Sequence, residues 1–275
     1  MRKQLQENFL PTLEVLRKIG FTVYEPMILP IKMPVMLPPL IWTMDDLASQ
    51  AACLQAVGFA VPSAHIIAKI EQSSFIPTEM AQTLKQIHVR LGITHFVFGG
   101  MFETTADAKV WGEYLHTLQD LLKIHGLQVL YHNHDVEFST ICVDGISMTA
   151  MDYFLSFAGK DVLLELDIGW ARFAVDDVSL AQKYADRIAI LHMKDFIPQV
   201  LNHSCTRDEL PAAAFTPIGV GAVRTKEVLH LTESMPCFIG LSIIDQDQSA
   251  TPTLEELQTG YRFLHTITTE QGESQ

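Results

Sequence analysis

Apolar runs and amphipathic stretches alternate along the chain, and glycines mark the joins. Gly20, Gly58, Gly92 and Gly126 each follow an amphipathic stretch and open a short apolar run: FTVY, FAVPSAH, ITHFVFGG and LQVLYHNH. A glycine just past a helix takes the left-handed cap conformation cheaply, and a strand can begin at once. The glycines are 38, 34 and 34 residues apart, about one strand, one helix and two loops. Residues 1–20 read as a helix, because Leu5, Phe9, Leu13, Leu16 and Ile19 recur at three- or four-residue steps. Thr43, Thr78 and Thr251 stand where helices should start. Further on, VLLELDIG (162–169), IAILHMKD (188–195) and FIGLSIID (238–245) alternate with helical stretches near 149–158, 178–186, 225–233 and 252–266.

Alternation of this kind predicts parallel strands joined by right-handed helical crossovers, and the near-continuous apolar strands predict a sheet covered on both faces. Seven strands and eight helices emerge, so the expected fold is α/β, a TIM (β/α)8-type barrel lacking its first strand, with residues 1–275 as one domain. No strand precedes the helix at 1–20. The strands flanking that gap would keep unpaired ladder groups. The true start lying upstream, cover by the Pro-rich segment or cover by a neighbouring chain would each resolve this, and a homodimer is expected. A solenoid is disfavoured because the repeats share little beyond glycines and apolar runs. An open doubly wound sheet is disfavoured because no GxGxxG or GxxxxGK[ST] follows a strand. Residues 26–40 hold five of the 13 prolines, which excludes a regular helix or central strand there. Residues 197–217 read as a long loop.

Composition narrows the function. With 48% hydrophobic and 19% charged residues the chain can bury a large core. A net charge of -13 disfavours nucleic acid as a partner while leaving room for a positive pocket holding a small anion. No apolar run reaches membrane-spanning length and no signal peptide is evident, so a cytoplasmic protein without a membrane partner is expected. Cys53, Cys142, Cys205 and Cys237 are far apart with no CxxC, which indicates neither a disulfide framework nor a thiolate zinc site.

The chemistry collects at strand ends. Side chains two apart in a strand share a face. Four consecutive strands end in such pairs: His132 and His134, Glu165 and Asp167, His192 and Lys194, Asp245 and Asp247, with Glu137 just beyond the first. Burying so many titratable groups without a function is expensive. Carboxylates and imidazoles converging at one mouth suit a divalent cation with mixed oxygen and nitrogen ligands: Mn²⁺, Mg²⁺, Co²⁺ or Zn²⁺. Scattered histidines such as His88, His95, His116, His125 and His230 read as structural, and Asp135, Asp195 and Asp247 as possible caps. Glu165 reads equally as a buried partner orienting a ligand.

YHNHDVEF (131–138), ELDIGWA (165–171), ILHMKD (190–195) and IIDQD (243–247), in this order, resemble the sugar phosphate isomerase/epimerase family, the xylose-isomerase-like TIM barrels. The resemblance implies a divalent metal held at the barrel mouth by Glu137, Asp167, His192 and Asp245. Asp245 stands where relatives usually carry Glu, one methylene longer. In PIGVGAV (217–223), Val220 replaces a frequent acid. A metal so held binds adjacent oxygens of a hydroxy-ketone and stabilises the enediolate formed when a base removes the proton between them. His134 or Glu165 is the candidate base. Lys194 is a candidate to bind substrate, hold a phosphate or balance the carboxylates. His65 and His132 are candidate substrate contacts, with Trp170 as an apolar wall for a sugar ring or a core residue. The expected function is a metal-dependent isomerase or epimerase of a sugar, sugar phosphate or keto-polyol. A lyase of inosose dehydratase type and a non-catalytic sugar- or metal-binding relative are the alternatives. The abasic-site endonucleases of the superfamily do not suit so acidic a chain.

Overall fold

A computed structural model of the protein describes Leu5 and residues 7–30, 40–68, 76–102, 104–202, 209–248 and 253–272. In chain order its helices and strands are α1 (Phe9–Ile19), β1 (Met27–Leu29), β2 (Ile41–Thr43), α2 (Leu47–Val57), β3 (Ser63–Ile66), α3 (Pro77–Leu91), β4 (His95–Phe98), α4 (Thr105–Leu122) and β5 (Gln128–His132). There follow β6 (Thr140–Val143), β7 (Ile146–Thr149), α5 (Ala150–Ala158), β8 (Leu163–Asp167), α6 (Ile168–Ala174), α7 (Asp177–Lys183), β9 (Ile188–Met193), α8 (Thr225–Leu231), β10 (Leu241–Ile244) and α9 (Thr253–Gly272). The chain divides into an N-terminal unit (Arg2–His132 with Thr140–Leu163) and a C-terminal unit (Asn133–Ser139 with Leu164–Gln275).

In the N-terminal unit five strands pair in parallel, in the order β5-β4-β3-β1-β2. The glycine caps behave as the pattern requires: Gly58 and Gly92 close α2 and α3 with φ of 82° and 74°. Phe96, Phe98, Tyr131 and Phe154 are fully buried. Tyr131 and Phe154 bring their ring centroids to 4.4 Å, and both contact Phe102. A short antiparallel hairpin, β6-β7, had no signature in the sequence reading.

The Pro-rich stretch departs from expectation. The first strand is Met27–Leu29 rather than FTVY, of which only Val23 forms a bridge, to Ala60. That strand lies between two others, although the prolines argued against a central strand. Three residues fit between Pro26 and Pro30, and Pro26, just ahead of the strand, still joins the ladder through its carbonyl, which accepts from the His65 N–H at 2.9 Å. Ile41–Thr43 then adds an unforeseen strand on the other edge of β1, where the absent first strand was expected. The described residues therefore contain eight parallel strands against seven in the sequence reading. Residues 31–39, 203–208 and Thr251 lie outside the described residues, with parts of both long loops. Thr43 does not cap a helix directly: its N–H and hydroxyl both bond the Asp46 carboxylate, and α2 starts beyond.

In the C-terminal unit β8, β9 and β10 pair in parallel, with β9 in the middle and buried at every position. An irregularity between Leu164 and Glu165 moves the register by one residue, from Leu164 opposite Ile188 to Glu165 opposite Ile190. From there Asp167 stands opposite His192. A bulge of this kind re-aims side chains at a strand end.

Candidate metal centre

Three strands of the C-terminal unit deliver their polar ends to one place. Asp167 closes β8, His192 lies near the end of β9 with Lys194 just beyond it, and Asp245 and Asp247 follow β10, where the Asp245 N–H continues the ladder to the Met193 carbonyl. Asp167, His192 and Asp245 each offer a ligand atom, and these atoms lie within 4.8 Å of one another. Asp167 is fully buried, His192 is 4% exposed, and Asp245 reaches the cluster from a partly exposed position. His192 Nε2 lies 3.2 Å from Glu165 Oε2, and its Nδ1 lies 3.8 Å from Asp245 Oδ2. Glu165, with no exposed side chain, is thus the carboxylate that faces the His192 Nε2.

The two oxygens of Asp167 do different work. Oδ1 caps α6 by accepting the Trp170 N–H at 2.8 Å. Oδ2 is buried and accepts no hydrogen bond; its neighbour is the Lys194 ammonium, 3.2 Å away. Lys194, 1% exposed, also reaches Asp245 Oδ2 at 3.0 Å and Asp247 Oδ2 at 2.6 Å, and its Nζ lies 4.6 Å from the centre of the Trp170 ring. Burial pushes the Asp167 carboxyl up, with Lys194 pulling the other way. For Lys194 burial would lower the pKa, but Asp167, Asp245 and Asp247 outweigh it and hold the ammonium protonated. Of the roles open for Lys194, the contacts favour balancing the carboxylates.

Around this cluster the structure adds residues that pattern reasoning left without a role. Asn133 clamps the backbone of Asp167: its Oδ1 accepts the Asp167 N–H at 2.9 Å and its Nδ2 donates to the Asp167 carbonyl at 3.2 Å. Asp195, read as a cap, fastens the 217–223 segment. Its Oδ1 accepts N–H groups of Phe196 and Val223, and its Oδ2 those of Gly219 and Gly221, all at 2.9–3.0 Å. Burial pushes this carboxyl up against the pull of those four donors. Val220, the departure in that segment, is 63% exposed. Gly169 of the GW motif is needed for close approach, since a Cβ there would meet the Lys194 Cβ at 2.6 Å.

Glu137 is fully buried in the turn after β5, where it accepts the His134 backbone N–H at 2.9 Å and faces His134 Nδ1 at 3.9 Å. It is not in the group formed by Asp167, His192 and Asp245. Trp170 is 3% exposed and packs with Phe173, Phe196 and Phe215 as well as under Lys194. In the N-terminal unit, His65 and His132 meet edge to face at 4.9 Å, and His65 Nε2 lies 3.1 Å from Glu25, which also accepts the Ser63 hydroxyl. Glu25, before β1, carried no signal in the sequence beyond being an acid.

A divalent cation fits the C-terminal cluster. The donors are mixed carboxylate and imidazole, and a buried Asp167 oxygen without a hydrogen-bond donor points into it. Among the described residues Cys53, Cys142 and Cys237 are free thiols and belong to neither histidine cluster. No helix of the described residues is long and apolar enough to cross a membrane.

In sequence, no protein-family model and no curated protein matches the chain. Among solved structures it is similar to a sugar phosphate isomerase/epimerase from Parabacteroides distasonis, with 20% identity and a TM-score of 0.74 over 95% of this chain and 89% of that one. It is similar to a xylose isomerase-like TIM barrel protein from Mycobacterium smegmatis in complex with magnesium, at 14% identity and a TM-score of 0.67 over 95% and 88% of the two chains. A D-tagatose 3-epimerase-like protein matches at 12% identity and a TM-score of 0.65 over 95% and 93%. The fold is α/β, and it is the fold of the xylose isomerase-like TIM barrel proteins.

Proposed function

We propose that the protein is a metal-dependent isomerase or epimerase of a sugar, sugar phosphate or keto-polyol that works through an enediolate. The observation carrying this reading is the convergence of Asp167, His192 and Asp245 at the ends of three parallel strands, around a buried carboxylate oxygen that accepts no hydrogen bond. Asp167, His192 and Asp245 would hold the cation, with Glu137 as a further ligand on the family resemblance. The cation, when bound, supplies Lewis acidity toward adjacent hydroxyl and carbonyl oxygens of the substrate. Glu165 keeps the His192 ring oriented by way of Nε2. His134 is the proposed base: with Nδ1 turned to Glu137, its Nε2 is the atom assigned to take the proton beside the substrate carbonyl and return it. His65 and His132 are proposed substrate contacts. The similar structures that are named as isomerases or epimerases support the reaction class.

A second reading, a binding protein without turnover, is favoured by Lys194, which already neutralises two of the proposed ligands. One experiment separates these readings. Chelated protein is resupplied with Mn²⁺, Co²⁺ or Mg²⁺ and incubated in deuterated water with a panel of ketoses, their phosphates and keto-inositols. Metal-dependent deuterium incorporation beside the carbonyl, with an isomeric product, is the expected result. Loss of water would indicate the lyase. A metal-loaded protein that exchanges no proton on any member would favour binding without turnover. Asp167→Asn should abolish the exchange while moving the apo stability by only about 1 kcal/mol, because Asn retains the cap on Trp170 and the removed burial penalty of the charge offsets much of the lost attraction to Lys194, which Asp245 and Asp247 still oppose.

A further inference from the structure

Lys194 and a divalent cation would compete for the same atoms. Asp167 has one oxygen committed to the Trp170 N–H, so the other, Oδ2, is the one left for a metal, and it is the oxygen that Lys194 faces at 3.2 Å. On Asp245 the oxygen nearest His192 is Oδ2, and Lys194 donates to that oxygen as well. An ammonium and a doubly charged cation repel strongly at such separations in a buried site, so both cannot keep these contacts. Lys194 has a second place to go. Asp247 Oδ2 lies 2.6 Å from its Nζ, on a side chain outside the ligand group, and the Trp170 ring, 4.6 Å from Nζ, offers a cation-binding face.

We propose that Lys194 is the resident counter-ion of this site: it holds Asp167 and Asp245 together before a divalent cation binds, and uptake of the cation shifts its ammonium from those two carboxylates on to Asp247. This rests on the metal-binding reading above and adds how the site admits the ion. The lysine keeps the empty site from holding two uncompensated aspartates, and every ion taken up must displace a charge. Affinity is therefore weaker than the ligand set alone would give, and part of it is set by Asp247, which touches no metal.

The test is calorimetric titration of chelated protein with Mn²⁺ and Co²⁺, in wild type, Lys194→Met, Asp247→Asn and the double variant, with thermal unfolding of each with and without the ion. Lys194→Met should bind at least about tenfold tighter and show a lower apo melting temperature with a larger rise on adding metal. Asp247→Asn should bind several-fold weaker than wild type, and this effect should shrink in the Lys194→Met background, where no ammonium needs a new partner. Should Lys194→Met fail to fold, wild type against Asp247→Asn still decides, because equal affinities would overturn the proposal. Binding in Lys194→Met that is no tighter than wild type, or an Asp247→Asn effect identical in both backgrounds, overturns the lysine's role and leaves the metal reading standing. Absence of binding in every variant overturns both.

Discussion

Exchanging Asp195 for Asn keeps the outline of the side chain and removes half of its accepting capacity. Each carboxylate oxygen now serves two backbone N–H groups, Phe196 and Val223 on one side, Gly219 and Gly221 on the other. Asn has one oxygen, so whichever pair it serves, its NH₂ meets the other pair donor to donor. A hydrogen bond to a charged acceptor contributes about 1.5–3 kcal/mol, so two lost bonds come to about 3–6 kcal/mol. Against this stands the cost of burying an ionised carboxylate that is 1% exposed, which Asn avoids and which shows in the raised pKa. The expected net loss is about 3 kcal/mol. For a chain of this size a urea dependence of about 3 kcal/mol per molar puts the unfolding midpoint about 1 M lower at neutral pH, read by circular dichroism. Gly221→Ala attacks the same contact, since its Cβ would fall inside the Asp195 carboxylate and the Phe196 carbonyl. The double variant should therefore lose less than the sum of the two. A midpoint for Asp195→Asn within about 0.2 M of wild type, or strict additivity with Gly221→Ala, would refute the claim that this carboxylate fastens the segment.

Asn133→Ala should lose both bonds to the Asp167 backbone, costing about 2 kcal/mol. It should also weaken Mn²⁺ binding, whereas a purely structural residue would leave the metal affinity unchanged. Asp176 caps α7 through the Ser179 N–H and pairs with Arg224, and these contacts lower its pKa from 3.8 to about 2. Because the folded value is depressed, the ionised carboxylate stabilises the protein above the unfolded pKa, and that advantage disappears as pH falls through about 2. The gap in urea midpoint between wild type and Asp176→Asn should hold above about pH 4 and narrow steadily below it; an unchanged gap at about pH 2.5 would contradict the assignment.

Period and parity made the frame of the C-terminal site readable. The alternation of strand residues put Glu165 with Asp167, His192 with Lys194, and Asp245 with Asp247 on common faces, and the structure brings Asp167, His192 and Asp245 together. The N-terminal strands were harder, because proline was weighed only for the N–H it lacks. Pro26 enters the ladder through its carbonyl, and a three-residue strand needs no more. The extra strand Ile41–Thr43 escaped notice for a related reason: three residues carry no period.

Partner choice was beyond the pattern altogether. Spacing says which face a side chain occupies, but not whether a carboxylate on that face belongs to a metal, a lysine or a backbone N–H. Asp167, Asp195 and Asp247 illustrate the last two outcomes within one unit. Asp167 divides its oxygens between the Trp170 N–H and the Lys194 ammonium, Asp195 gives both to backbone donors, and Asp247 gives its nearest oxygen to Lys194. The donors that decide among them come from residues 1 to 53 positions away in sequence. A helix start, a returning loop and a neighbouring strand supply them. The same distance explains why Lys194 could be read three ways from ILHMKD, whereas its contacts with Asp167 and Asp245 favour balancing the carboxylates. A buried ammonium is expensive unless opposed by charge, so once three carboxylates surround it, the lysine and the acids determine each other's position. On the proposed displacement, a cation joins them only as that arrangement yields, and Asp247 is the carboxylate that would receive the ammonium.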